Sequence, residues 1–213
     1  LMFWAAWNMN SYNPGYRGEG QGLLYSEQVR GQAWAMRALG ETARALPDGH
    51  PMKAYFEQRL SNNLAWYNGH YRAGAGSSPL GAMGNPGGPD NLGPWQQDFF
   101  TMAVAQLVQD GYPQAQPLFN WVASFSVGRF LQEADAGLCL ANAAAYYVNI
   151  KDNAGQYIDT WRALVQENWP GADCNASLPV QGSPSSSAGY AAYARAMLAA
   201  AANAGHPQAL TTY

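Results

Sequence analysis

The sequence predicts an almost wholly α-helical fold, built from antiparallel helix hairpins joined by long loops. Apolar residues recur every three or four positions over several segments, which is the spacing of a helix with one buried face. No stretch alternates apolar and polar residues as a half-buried strand does. Glycine and proline, 23 and 13 of the 213 residues, concentrate between the periodic segments. Because no shift in composition divides the chain, we treat residues 1–213 as one domain.

The first predicted hairpin follows Ser26. Helical spacing runs from there to Leu46, where Pro47-Asp48-Gly49 ends the helix. A second helix begins near Pro51, a residue suited to the first helical turn. Since the link between them is short, the two helices should lie antiparallel. The apolar face of the second helix comprises Phe56, Leu60, Leu64 and Tyr67.

The second predicted hairpin follows a long Gly/Pro-rich loop at residues 73–94. Loops of this length in compact domains are often functional. Helical spacing returns at Phe99, Ala103 and Leu107, and it stops at Asp110-Gly111. A shorter helix is predicted at residues 114–125, antiparallel to the previous one.

A third hairpin is predicted from an Ala-rich helix at residues 136–150 and a helix capped by Asn153 that carries Ile158, Trp161 and Val165. After another long loop at residues 169–186, a last helix should span residues 188–203 and stop at Ala204-Gly205-His206-Pro207. Any β structure should be confined to short pairings between loops.

Composition excludes several classes of protein. Charged residues make up only 12% of the chain and the net charge is -3, so the basic surface of a nucleic-acid binder is missing. The most apolar segment, residues 191–202, is short and contains Arg195, so no membrane span is expected. Two cysteines, Cys139 and Cys174, are compatible with one disulfide in an oxidising compartment. Two buried free thiols are the equal alternative.

Four segments carry a resemblance to a known group of proteins: residues 27–37, Glu-Gln-Val-Arg-Gly-Gln-Ala-Trp-Ala-Met-Arg; Leu46-Pro47-Asp48; residues 62–67, Asn-Asn-Leu-Ala-Trp-Tyr; and residues 95–100, Trp-Gln-Gln-Asp-Phe-Phe. Together they resemble uncharacterised secreted bacterial proteins related to the α/α-toroid, or six-hairpin glycosidase-like, superfamily. The resemblance implies an all-α, partial or open α/α toroid, because the predicted helices are fewer than six hairpins require.

The same resemblance implies a secreted or extracellular protein, with the periplasm as the alternative compartment. It also implies a carbohydrate-active protein, a glycoside hydrolase or polysaccharide lyase acting on an extracellular glycan. The alternative is a non-catalytic glycan-binding, adhesive or filament-forming module, whose partners are further domains or copies of the same chain. No cofactor is expected in either case.

Two sets of residues are predicted to be catalytic. His70 and Tyr71, near Asn68 and Arg72, have the side chains that a lyase uses to neutralise a uronate, remove a proton and protonate the leaving oxygen. A hydrolase needs two carboxyl groups instead, and Glu27 and Asp98 are the candidates from a set that also includes Glu19 and Asp90. Ordinary stabilisation of helix ends explains the same residues without catalysis.

Predicted substrate-binding residues lie in the loop at residues 13–22, on the first helix and near the second loop. Planar and charged side chains there suit bidentate hydrogen bonds and stacking on sugars. Most tryptophans, including Trp34, should belong to the core, with one or two at a groove. His50, His70 and His206 are not spaced as metal ligands, so no metal site is expected. The substrate-binding candidates are Tyr16, Arg17, Glu19, Arg30, Asn68 and Trp95.

Overall fold

A computed structural model describes residues 1–9, 20–25, 28–74, 76–84, 90–175 and 184–212, with side chains left out at 184–189. The described chain is mostly helical, and its one two-stranded sheet has two residues in each strand. The all-α prediction is therefore confirmed, as is the restriction of β structure to short loop pairings. Within the described residues, no helix is long and apolar enough to cross a membrane.

The first hairpin forms as predicted. Helix α2 spans Val29–Ala45 and α3 spans Lys53–Tyr67. A π-helical turn, Asn68–Arg72, extends α3. A short helix, α1 (Met2–Trp7), precedes the hairpin, packs against α2 and leaves Phe3, Trp4 and Trp7 exposed.

The second hairpin also forms as predicted, with α4 spanning Pro94–Gln109 and α5 spanning Ala115–Ser126. Pro94 lies in the first turn of α4, where a missing backbone N–H costs nothing. Strand β1 (Asn91–Leu92) lies just before α4, and a 3₁₀ turn (Gly128–Phe130) follows α5.

The third predicted hairpin is wrong. Instead of a helix over residues 136–150, the chain forms α6 (Glu133–Ala136), α7 (Leu140–Ala143) and strand β2 (Val148–Asn149), which pairs antiparallel with β1. Gly137 stops α6 because its φ of 73° lies in the left-handed region, and Cys139 is extended. High alanine content predicts a helix but does not reveal these interruptions.

The end of the chain also differs from its prediction. Helix α8 spans Trp161–Asn168, and its N-cap is Thr160, whose hydroxyl accepts a hydrogen bond from the Ala163 N–H at 3.2 Å. Asn153 therefore caps no helix. Helix α9 spans Pro184–Asn203, four residues longer at its start than predicted, and a short α10 spans Ala209–Thr212.

Helices α2, α4 and α9 lie side by side and run in the same direction. Trp34 of α2 contacts Phe99 of α4. Further along α2, Arg44 contacts Asp110, which directly follows the last residue of α4. Along α9, Tyr190 contacts Trp95 and Tyr193 contacts the following turn of α4. Helices α3 and α5 return antiparallel on the other side of this layer. One cluster of buried apolar side chains from both layers, including Met36, Leu64, Phe100 and Val122, forms the core.

A buried glutamine fixes the described part of the long loop against the helices. Gln97 of α4 is fully buried, and its Oε1 accepts a hydrogen bond from the Met83 N–H at 2.8 Å. Its Nε2 donates to the carbonyls of Gly81 and Val122, at 2.8 and 3.1 Å. All the amide's polar atoms are thus satisfied inside the core, so residues 81–83 are held by α4 and α5.

Candidate functional site

Seven aromatic side chains form a continuous strip over α2, α4, α9 and the segment before β2. Each ring centroid lies between 4.7 and 6.3 Å from at least one other. Trp34, Tyr147 and Tyr193 are 54%, 49% and 38% exposed. Because these three side chains are exposed, the strip offers apolar aromatic surface to solvent. This aromatic strip comprises Trp34, Trp95, Phe99, Tyr146, Tyr147, Tyr190 and Tyr193.

A groove of about 720 Å³ opens at one end of the aromatic strip, between the exposed sides of α2 and α4. Trp34 and Phe99 belong to both features, and Met102 extends the apolar lining. The rest of the lining consists of six polar residues, Leu1 and four alanines. The polar residues of this groove are Arg37, Glu41, Arg44, Gln106, Gln109 and Asp110.

The charged residues of the groove occur as two ion pairs. Arg37 Nε lies 2.6 Å from Glu41 Oε1, and Arg44 Nε lies 3.1 Å from Asp110 Oδ1. Gln106 Nε2 donates a second hydrogen bond to the Asp110 carboxylate at 2.9 Å. The groove therefore combines an apolar aromatic end with paired charges that balance one another.

Helical spacing explains why these residues share one surface. Trp34, Arg37, Glu41 and Arg44 follow at intervals of three or four along α2, so they form one stripe on that helix. The same intervals relate Phe99, Met102, Gln106 and Asp110 on α4, which runs parallel to α2. The two stripes face solvent side by side, with the groove between them.

A glycine brings the two helices close beneath the groove. At Gly40 of α2, an added Cβ would lie 2.5 Å from Leu107 Cδ2 of α4, far inside ordinary contact distance. Leu107 is itself buried. The groove therefore has a closely packed base.

Asp98, predicted to be catalytic, lies in the core and not in this groove. It is fully buried, and its Oδ2 accepts a hydrogen bond from Arg129 Nη2 at 2.6 Å. Burial raises the pKa of the Asp98 carboxyl, although the charge and hydrogen bond of Arg129 act in the opposite direction. Asp98 Oδ1 and two nitrogens of Arg129, Nε and Nη1, find no hydrogen-bond partner among the described residues.

Tyr71 and His70 also lie away from the groove. Tyr71 is fully buried, and its hydroxyl lies 3.2 Å from the Gly84 carbonyl oxygen and 3.4 Å from Gln32 Oε1. The His70 ring stacks on Trp66, with centroids 4.6 Å apart and planes inclined by 10°. The two side chains are neighbours, since their ring centroids are 4.7 Å apart.

Three predicted substrate-binding residues are described. Trp95 belongs to the aromatic strip, and the Arg30 guanidinium lies 5.8 Å from its ring centroid. Arg30 is exposed, so this cation–π contact borders the strip. Asn68 has a different role, because its amide donates to the carbonyls of Leu64 and Gln114, at 2.8 and 3.1 Å, and so joins α3 to the start of α5.

The other predicted site residues, Tyr16, Arg17, Glu19 and Glu27, lie outside the described residues. Sequence reasoning did not select the acidic residues of the groove, Glu41 and Asp110, or the tyrosines of the aromatic strip. The prediction that Trp34 belongs to the core is wrong, because this residue is 54% exposed. Its position on the same helix face as Arg37, Glu41 and Arg44 could have indicated this, because a tryptophan on the charged side of an amphipathic helix is poorly placed for a core. The grouping of distant tyrosines depends on the fold and carries no local signal.

A disulfide joins Cys139 and Cys174, with the sulfurs 2.02 Å apart. It connects the segment before α7 to the segment after α8, a loop of 35 positions in the sequence. Tyr146 and Tyr147 of the aromatic strip lie within this loop. The disulfide therefore constrains the segment that brings these two rings to the strip.

Among the described residues, no group of three His, Cys, Asp or Glu side chains is arranged to hold a metal ion. Comparison of the chain with protein-family models, curated proteins and solved structures gives no match.

Proposed function

We propose that this chain is an extracellular carbohydrate-binding protein that holds a glycan along the aromatic strip and the adjoining groove. The observation that carries the proposal is the strip itself, in which seven rings stay in contact across several elements while three of them are well exposed. Contiguous apolar surface that is open to solvent commonly marks a binding site. A pyranose ring has an apolar C–H face that packs on a flat aromatic ring.

The polar side of the groove supports the same proposal. Sugar hydroxyls both donate and accept hydrogen bonds, so they are best matched by planar side chains that offer both. Arg37 and Arg44 supply donors, Glu41 and Asp110 supply acceptors, and all four line the groove that begins at Trp34. Rings at one end and planar polar groups along the walls make a combination suited to an oligosaccharide.

The helix arrangement supports the proposed relation to partial α/α toroids. Such proteins place helices of one layer in parallel and return the chain through a second layer. Helices α2, α4 and α9 form a layer of parallel helices, and α3 and α5 form the second layer, through which the chain returns. The disulfide supports an oxidising, extracellular or periplasmic compartment.

A glycoside hydrolase is the second candidate, and one observation favours it. Glu41 and Asp110 both line the groove, and glycosidic hydrolysis ordinarily uses two carboxyl groups on either side of the bond. Both carboxylates are engaged by arginines, however, whereas a general acid must carry a proton. Of the predicted catalytic residues, Tyr71 and Asp98 are buried. We therefore place binding first.

The test measures binding of purified protein to a panel of soluble polysaccharides and oligosaccharides by affinity electrophoresis and calorimetry. The variants Trp34→Ala and Tyr193→Ala should each weaken binding at least about tenfold, because loss of a stacking ring costs about 1.4 kcal/mol or more. Trp7→Ala is the matched control, since Trp7 is 60% exposed and lies outside both the strip and the groove.

Three results are decisive. Binding that is lost in both strip variants and kept in Trp7→Ala supports the proposal. Equal weakening by all three variants, or no binding to any glycan, would overturn it. Release of reducing ends or unsaturated sugars, abolished by Glu41→Gln or Asp110→Asn, would replace the binding role with an enzymatic one.

A further inference from the structure

The charges of the groove indicate which class of glycan it accepts. Its described lining contains two cations, Arg37 and Arg44, and two anions, Glu41 and Asp110. Each cation is paired with one of the anions, and the two remaining polar side chains, Gln106 and Gln109, are neutral amides. The charged side chains of the described lining therefore balance one another.

The two acidic groups differ in exposure, and the exposed one opposes a polyanion. The Asp110 side chain is 4% exposed and is held by Arg44 and Gln106. The Glu41 side chain is 38% exposed, so it faces any ligand in the groove. A uronic-acid chain would bring carboxylates to Glu41 and find the arginine charges already compensated.

A polycation meets the opposite obstacle. The side chains of Arg37 and Arg44 are 56% and 65% exposed, more than those of Glu41 and Asp110 with which they pair. Their exposure puts positive charge, together with N–H donors, in the path of a ligand. Two neighbouring hydroxyl groups of a neutral sugar can accept a bidentate hydrogen bond from an arginine, and no like charges are brought together.

The rings add a stereochemical requirement. A pyranose packs flat on a ring such as Trp34 only when its C–H bonds, and not its hydroxyls, point to that face, as they do when the hydroxyls are equatorial. From Trp34 to Arg44 the stripe on α2 covers ten residues, about 15 Å at 1.5 Å per residue, a length comparable with a short oligosaccharide.

We propose that the groove takes a neutral polysaccharide of equatorially hydroxylated pyranoses, such as a β-1,4-linked hexose chain, in preference to uronic-acid or cationic polymers. This proposal rests on the glycan-binding function proposed above. In this proposal the two ion pairs have a role. They present hydrogen-bonding groups to the sugar, and because the charges of each pair compensate one another, they do not favour a charged polysaccharide.

The test compares three oligosaccharides of equal length by calorimetry: cellopentaose, a pentameric oligogalacturonide and a pentameric chitosan oligosaccharide. Cellopentaose should bind at least about tenfold more tightly than either charged probe. Its affinity should change less than about twofold between 0.1 M and 1 M salt, because cellopentaose carries no charge and the charged side chains of the groove balance one another.

Two variants sharpen the comparison. Glu41→Gln leaves Arg37 uncompensated and should improve oligogalacturonide binding severalfold, with an affinity that now falls as salt rises. Glu133→Gln removes an exposed carboxylate outside the groove, and it should leave all three affinities unchanged.

The outcomes separate the two proposals. Tightest binding of cellopentaose, insensitive to salt, supports the neutral class. Binding of the oligogalacturonide or the chitosan oligosaccharide that equals or exceeds that of cellopentaose overturns the neutral class and leaves glycan binding intact. Failure of all three probes, and of the wider panel of polysaccharides, overturns the proposed function itself.

Discussion

The ion pair in the core and the Arg37–Glu41 pair of the groove contain the same chemical groups in opposite surroundings. Asp98 and Arg129 have side chains 1% and 3% exposed, whereas those of Arg37 and Glu41 are 56% and 38% exposed. Water screens the exposed pair and leaves its partners free to exchange contacts. The buried charges have lost their water, and several of their polar atoms find no substitute among the described residues.

The comparison teaches that charge alone does not identify a functional residue in this chain. The buried pair, which links the start of α4 to the turn after α5, has the features expected of a structural pair, in which loss of one partner would leave the other charge unpaired in the core. The Arg37–Glu41 pair of the groove is exposed on both sides, so it should contribute little to folding and lies where a ligand can reach it. Stability measurements distinguish the two roles directly.

The largest effect is expected from Arg129→Met. Removing the guanidinium leaves the Asp98 carboxyl buried with no partner, so the free energy of unfolding should fall by about 3–5 kcal/mol. Urea denaturation followed by circular dichroism measures the loss. The double variant Asp98→Leu/Arg129→Met is the control, because it removes both charges and should recover most of the stability. A loss below about 1 kcal/mol in the single variant would mean that the buried pair is no more important than a surface pair.

The second effect is a pH dependence that only the buried pair should show. Burial raises the pKa of Asp98 above its ordinary value of 3.8, so between 3.8 and the raised pKa the folded state holds a proton that the unfolded state releases. The contribution of Asp98 to stability is therefore present at low pH and is lost as pH rises through the folded-state pKa.

The measurement is the free energy of unfolding of the wild type and of Asp98→Asn across that pH range. Their difference should shift against the wild type as pH rises, because only the wild type must ionise a buried carboxyl. A difference that stays constant would show that the charge of Arg129 cancels the effect of burial, and one that shifts in favour of the wild type would show that it outweighs burial; either result contradicts the prediction.

Some helices of this chain could be predicted from the sequence, and others could not. Helices α2, α3, α4 and α5 were predictable because their apolar residues recur at helical intervals and Pro or Gly marks their ends. Residues 136–150 were mispredicted because alanine favours a helix locally, while Gly137 and the pairing of Val148 with Leu92 interrupt it.

For the candidate site, Trp95 and Arg30 were selected from the sequence as substrate-binding residues. In the structure Trp95 belongs to the aromatic strip and Arg30 borders it. Asp98 was also selected, because an acidic residue beside aromatics at a helix start resembles a general acid until its burial is known. Glu41 and Asp110 were not selected, since each has an ordinary place on a helix. Only the parallel packing of α2 and α4 brings them to one groove.

The third effect concerns the packed base of the groove. Gly40→Ala places a Cβ 2.5 Å from Leu107 Cδ2, and this overpacking should cost about 1–3 kcal/mol, offset by up to about 1 kcal/mol of improved helix propensity. Gly31→Ala is the matched control on the same helix, because nothing lies within 4 Å of its added Cβ. It should stabilise the protein slightly. If both variants were equally stable in thermal denaturation, α2 and α4 would not depend on this close approach.

The smallest effect is expected at the surface pair. Glu41→Gln removes one exposed charge of an i,i+4 pair, and the free energy of unfolding should change by less than about 0.5 kcal/mol. Thermal and urea denaturation of this variant, alongside Arg129→Met, measure the contrast on one scale. A loss above about 1 kcal/mol would show that Arg37 and Glu41 are needed for the fold, and their availability to a ligand would then be doubtful. A negligible loss means that the pair can exchange its partners for sugar hydroxyls at little cost to stability, which the proposed groove requires.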